Sequence, residues 1–150
     1  MEHLAIMKRS WGMTEKILSG EKTIESRWYK SRRPPWNRIK AGDTVYFKDS
    51  REPVTVRAEV TKVMQFQNLD PQRVREILHT YGNLDGIRKA DIPRFFALFR
   101  DKKYCILVFL KGTRKISPFN VDKKGFGVMS SWISVKSVSQ ISIKDGHGGI

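Results

Sequence analysis

The 150-residue chain holds one cysteine, three histidines and only 15 acidic residues against 29 lysines and arginines. A single thiol excludes an internal disulfide and any zinc site built on several thiolates. His3, His79 and His147 stand far apart without metal-ligand spacing, so no metal site and no cofactor is assigned. Long apolar runs are also missing: residues 104–110 form the longest, far short of the roughly 20 that a membrane span needs. Near the start, Lys8, Arg9 and Ser10 interrupt before any leader-like apolar stretch forms. The chain therefore reads as soluble and cytoplasmic, with no membrane partner. Repeats, heptads and low-complexity tracts are absent as well.

What is present is ordinary in amount and unusual in sign. Hydrophobic residues make up 39% and charged residues 29%, which excludes wholesale disorder. A chain of this length buries about two-thirds of its unfolded surface without staples. It reads as one domain over residues 1–144 with a frayed tail over 145–150. The net charge is +14, and a surface of that sign raises the local concentration of polyanions. Nucleic acid is the default partner, and the clustering of the cations strengthens that reading.

Hydrophobic spacing gives a coarse order of elements. Residues 4–9 read as a short strand, and residues 13–20 as a compact helix. In that helix Thr14 is the expected N-cap, Met13 staples onto Leu18, and Gly20 is the left-handed stop. Residues 44–48 and 54–60 alternate as strands, the second with Val54, Val56, Ala58 and Val60 on one face. Asp70 and Pro71 open a helix carrying Val74, Ile77, Leu78 and Tyr81 at helical spacing, and Gly82 ends it. A second short helix is expected over residues 93–100, with Phe95, Phe96, Leu98 and Phe99 inward. Residues 103–110 are apolar on both faces and predict a central strand, and shorter strands are expected around 114–119 and 132–138. Without parallel strand-helix-strand alternation, this inventory predicts an α+β protein: a small, mostly antiparallel β-barrel with two to three short helices inserted.

One stretch carries a motif. Residues 20–27, Gly20-Glu21-Lys22-Thr23-Ile24-Glu25-Ser26-Arg27, spell G-x-K-x-x-E-x-R between a short helix and a strand. This resembles the signature of the ASCH domain family, a branch of the PUA-like superfamily of small β-barrels. Ala41-Gly42-Asp43-Thr44 resembles that family's entry into its next strand, and the likeness covers residues 14–63. Read from its residues alone, alternation puts Glu25 and Arg27 on one strand face, roughly 7 Å apart at the Cα. Lys22 sits at the turn with a stem long enough to swing toward Glu25. One carboxylate held by two cations leaves net positive charge for a phosphate or a polar base edge. The same cluster also reads as an ion-pair network that orders the turn.

Residues 26–42 differ from everything around them. They hold six cations (Arg27, Lys30, Arg32, Arg33, Arg38 and Lys40), the aromatics Trp28, Tyr29 and Trp36, the Pro34-Pro35 pair, and no acid. Proline excludes helix or central strand from the middle of this stretch, so it is a long basic-aromatic loop. Cations that track phosphates and rings that stack on bases are what single-stranded nucleic acid requires. Trp28 is expected in the core and Trp36 accessible. Trp132 is read as a core residue, and Cys105 as a small buried hydrophobe.

The candidate nucleic-acid-binding residues are therefore Lys22, Arg27, Tyr29, Lys30, Arg32, Arg33, Trp36, Arg38 and Lys40, gathered at one cleft, with RNA favoured over single-stranded DNA. A second reading follows from the resemblance. Some ASCH relatives are amidohydrolases acting on N4-acylated cytidine and others are ribonucleases, which gives Lys22 and Glu25 catalytic roles. This chain departs from the amidohydrolase branch in carrying Glu25 where a hydroxyl residue is expected. A third reading makes the loop an adaptor for an acidic protein.

Overall fold

The computed structural model describes residues 1–127 and 129–143. The frayed tail expected over 145–150 lies outside the described residues. The elements are β1 (Glu2–Met7), α1 (Met13–Ser19), β2 (Ile24–Tyr29), β3 (Thr44–Asp49) and β4 (Val54–Phe66), then α2 (Pro71–Tyr81), α3 (Ile92–Phe99), β5 (Tyr104–Val121), β6 (Trp132–Val135) and β7 (Ser142–Ile143). The strand order is β2-β5-β4-β3-β1-β6, with β7 on the far end of β5, and among the described residues only β1 and β3 run parallel. This is the α+β, mostly antiparallel curled barrel that the sequence predicts, with three helices inserted.

The long β4–β5 ribbon makes the sheet curl. Its register shifts at three places, between Val54 and Val56, Arg57 and Glu59, and Val60 and Lys62. Each irregularity adds local twist, so one ribbon serves two cores. The larger core gathers Ala5, Val45, Phe47, Val56, Ala58, Ile106 and Val108 with residues of all three helices. The smaller gathers Leu4, Val54, Ile133, Val135, Val138 and Ile141. Curling brings the β2 edge opposite β1 and the approach to β6, and among the described residues no backbone ladder joins them. Side chains bridge that seam instead.

Several local expectations shift for identifiable reasons. A 3-10 turn over Arg9–Trp11 precedes α1, so left-handed Gly12 is its N-cap, and Thr14 donates to Asp49 Oδ1 at 2.6 Å instead of capping. Gly20 ends the helix left-handed at φ 84, as expected. Asp70 caps α2 by accepting from the Arg73 N–H at 2.8 Å. In α3 Phe95 faces the core, whereas Leu98 is 50% exposed, because an eight-residue helix packs one stripe and leaves the other in water. The strands expected over 103–110 and 114–119 are one continuous β5.

Candidate functional site

The motif is assembled by two segments far apart in the chain. The turn after α2 lays the Leu84 carbonyl against the N–H groups of Thr23 and Ile24, at 2.8 and 3.0 Å. That docking sets Asp85 beside Lys22. Gly86 follows with φ +77, and a Cβ there would stand 3.1 Å from the Lys22 stem, so glycine fits both the backbone and the space.

Lys22, at 2% exposure, spends all three ammonium hydrogens on protein acceptors. It donates to the Asp85 carbonyl at 2.9 Å, to Asp85 Oδ1 in a short contact, and to Glu25 Oε1 at 3.1 Å. Glu25 Oε2 accepts from Arg27 Nε at 3.1 Å and Nη2 at 2.9 Å, two charge-assisted bonds that converge on one oxygen. Arg27 Nη1 donates to the Ser131 carbonyl at 3.1 Å and Nη2 to the Ile6 carbonyl at 3.2 Å, so this side chain closes the barrel seam. Its guanidinium lies 5.1 Å from the Trp132 ring centre. On the other side, Trp28 Nε1 donates to Ser26 Oγ at 3.0 Å, and Ser26 Oγ donates to Asp85 Oδ2 at 2.5 Å.

Burial opposes ionisation throughout this cluster, and the partners decide the outcome. Desolvation would lower Lys22, but attraction to Asp85 and then Glu25 outweighs it and holds the lysine above its ordinary pKa. Burial would raise Glu25, yet Lys22 and Arg27 hold it below the usual carboxylate value. Asp85 stays raised, because burial and repulsion from Glu25 exceed the pull of Lys22. The expectation of net positive charge at the motif is corrected by Asp85: two cations face two carboxylates, and ionised they cancel.

This cluster forms one wall of a cavity of about 430 Å³ in the seam. Trp11, Trp28, Phe95 and Phe99 give it flat apolar surface. Trp28 stacks on Phe99 at 4.8 Å and 6°, and Trp11 meets Phe95 edge-on at 5.2 Å. Ser50, Ser130 and Ser131 line it too, and among the described residues their hydroxyls have no protein partner. Lys8 and Lys123 stand among the lining residues, Lys8 over the Trp11 ring at 5.2 Å.

Of the residues expected at one cleft, Lys22, Glu25, Arg27 and Tyr29 line this cavity. Lys30, Arg32, Arg33, Trp36, Arg38 and Lys40 do not; the loop turns away over the end of the barrel. There it is well tied down. Pro35 and Ile39 are buried, and the Asn37 N–H donates to Gln65 Oε1 at 2.7 Å while Gln65 Nε2 returns a bond to Asn37 Oδ1 at 2.8 Å. Trp36 is half-buried and meets Tyr104 edge-on at 5.1 Å. Arg32 lies over both rings, at 5.9 and 5.8 Å, and donates to Gln67 Oε1 at 3.2 Å. The single cleft thus divides into a cavity with one charge-balanced wall and a separate, exposed cationic surface.

Sequence reasoning missed Asp85, the serines of the seam, Trp11 and Tyr104. It also gave His3 no role. His3 is fully buried; its Nε2 bonds Asp43 Oδ2 at 2.9 Å, and its Nδ1 faces Ser134 Oγ at 2.8 Å and the Trp132 indole N–H at 3.2 Å. Asp43 Oδ2 also accepts the Lys40 N–H at 3.1 Å, anchoring the exit of the basic loop. Trp28 and Trp132 are core residues at 7% and 3% exposure, and Cys105 is a buried thiol raised well above its usual pKa by desolvation.

No protein-family model and no curated protein matches the chain. Solved structures do. The crystal structure of an ASCH protein from Zymomonas mobilis is similar at TM-score 0.65, covering 93% of this chain and 91% of that one at 20% identity. A tyrosine-to-phenylalanine form of that protein gives TM-score 0.65, covering 93% of each chain at 18% identity. A hypothetical protein gives 0.51, covering 77% of this chain and 100% of that one at 18% identity. At these identities the likeness establishes the fold: the chain is an α+β curled barrel of the ASCH type. That is the fold implied by the motif at residues 20–27. Among the described residues, no helix is long and apolar enough to cross a membrane.

Proposed function

We propose that the protein is a nucleic-acid-binding module of the ASCH class, preferring RNA to single-stranded DNA, that takes one uncharged base into the seam cavity. The observation that carries this reading is the pairing of flat aromatic walls with an ion-paired polar wall and the hydroxyl side chains of Ser50, Ser130 and Ser131. A volume of about 430 Å³ lies within the range of small-ligand sites. The ion-paired wall presents hydrogen-bonding edges that suit a neutral ring, while Lys8 and Lys123 add positive charge elsewhere in the lining. Serine hydroxyls donate and accept, which suits base edges and a ribose 2′-OH. The phosphates then fall to cations away from the ion-paired wall.

Trp11 and Trp28 line the site, so intrinsic tryptophan fluorescence reports on it. Titration with ribonucleosides and with a tetranucleotide RNA is expected to quench that signal, and Ser130→Phe, which fills the cavity, is expected to abolish the quenching. In anisotropy titrations of short RNA, log K should fall with log salt at a slope near −3.5 if about five phosphates are neutralised. A slope near zero, or quenching untouched by Ser130→Phe, overturns the proposal.

The hydrolase reading is supported less well. A lysine nucleophile or base needs a free lone pair and a lowered pKa. Lys22 has three acceptors for its three hydrogens and a raised pKa. Incubation with N4-acetylcytidine and with short RNA decides the matter, since turnover that disappears in Lys22→Ala would replace binding by catalysis.

A further inference from the structure

We propose that Trp36, Tyr104 and Tyr29 form a stacking track, leading away from the cavity, along which the single strand flanking the captured base is held. The inference rests on the base-binding reading and adds a second, independently testable surface to it. Tyr29 and Tyr104 are register partners across β2 and β5, so their side chains leave the same face of the sheet about 5 Å apart. Trp36 adjoins Tyr104, its ring edge-on at 5.1 Å between centres. All three rings are half-buried. Tyr29 also lines the seam cavity, so the row begins where the base is taken in.

The charge around this row differs from that of the cavity. Lys30, Arg32, Arg33, Arg38 and Lys40 are all exposed, and residues 26–42 contain no acid. Arg32 covers the Trp36 and Tyr104 rings, where it fills the place a base would take. An arriving strand offers it a phosphate, and its departure uncovers the rings. Trp36 is poised for such a change: among the described residues its indole N–H is the one buried side-chain polar group without a partner. An unpaired donor raises the energy of the resting position, so reorienting the ring costs less. The backbone beneath is already fixed by the Asn37–Gln65 pair, which limits the ordering that binding must impose.

An acidic protein segment would also meet these cations, but it has no use for three rings in a row, whereas every base has a face to stack. The test uses a fluorescein-labelled eight-nucleotide RNA, the DNA of the same sequence, and free cytidine. Trp36→Ala and Tyr104→Ala are each expected to weaken octamer binding roughly tenfold or more, the size of one lost stack, while Tyr104→Phe retains it. Quenching of Trp11 and Trp28 by cytidine should remain in both alanine variants. Arg32→Glu with Arg33→Glu should flatten the salt slope by about 1.4, and this exposed pair decides the question if the aromatic variants fail to fold. RNA and DNA octamers are expected to lose similar factors, since stacking does not read the sugar.

Octamer affinity and salt slope unchanged in the folded variants would overturn the track while leaving the cavity reading intact. Cytidine that fails to quench, with octamer binding still dependent on Trp36 and Tyr104, would remove the cavity reading and keep the track. Binding to an acidic peptide that competes fully with the octamer and survives Trp36→Ala and Tyr104→Ala would replace the strand by a protein.

Discussion

Two regions of this molecule carry lysine and arginine side chains, and they use them in opposite ways. At the motif, Lys22 is buried and Arg27 is 11% exposed, and each is matched by a carboxylate from Glu25 or Asp85. In the loop, Lys30, Arg32, Arg33, Arg38 and Lys40 face water with no acid in their own segment. The difference follows from solvation. A buried ion must be compensated within a few ångströms or it shifts to its neutral form. An exposed one keeps its hydration and can exchange it for a phosphate. Basic composition alone, +14 over the chain, does not distinguish the two.

The sharpest way to break the comparison is to remove a cation from each region. Lys22→Ala leaves Glu25 and Asp85 buried without their shared cation, and a loss of about 3–5 kcal/mol in urea unfolding is expected. The exposed pair change, Arg32→Glu with Arg33→Glu, should alter stability by no more than about 0.5 kcal/mol. Equal losses would mean that the loop arginines pack structurally and that the distinction drawn here is wrong.

A smaller change sharpens it. Asp85→Asn keeps the shape of the site and removes one negative charge, so the buried cluster gains the net positive sign that the loop already has. Loss of the charged hydrogen bonds to Lys22 and Ser26 is expected to cost about 1.5–3 kcal/mol in the same unfolding measurement. The cavity should then favour cytidine 5′-monophosphate over cytidine more than the wild type does, read by tryptophan quenching. An unchanged ratio would show that the charge of Asp85 does not set the cavity's preference.

Asp85 also marks the limit of what the sequence reveals. The turn that ends at Gly20, the strand that places Glu25 and Arg27 on one face, and the reach of Lys22 are local facts. Spacing within residues 20–27 is enough to read them. Asp85 lies 63 residues from Lys22 and approaches it only because Leu84 docks on Thr23 and Ile24. No periodicity encodes that contact, so the charge of the site was misread by one. The same holds for Tyr104, which sits at the start of an apolar strand where nothing local shows that it borders a loop some 70 residues earlier. Strand and helix order, by contrast, was legible because hydrophobic alternation and the caps at Asp70 and Gly20 act over a few residues.

The smallest effect expected concerns the joint between loop and barrel. His3 is buried beside Asp43, and desolvation lowers its pKa below the ordinary 6.5 more than Asp43 raises it. The folded state therefore binds fewer protons at His3 than the unfolded chain does. Stability is full above about pH 6.5 and is lost as pH falls toward the folded pKa, by at most ~1.4 kcal/mol per pH unit. Protonation places a hydrogen on Nδ1, which now accepts from the Trp132 indole, so the cost has a visible geometric origin. Urea midpoints measured from pH 7.5 to 5 keep Glu25 and Asp43, held below 4.5 and 3.8, ionised in the folded state, and Asp85, raised by burial, is the other group whose titration reaches toward this window. His3→Gln should flatten that dependence, and an unchanged slope would assign it elsewhere. Because arginines do not titrate in this range, RNA binding by the folded fraction should stay level across it, even as Asp43 anchors the exit of the loop at Lys40.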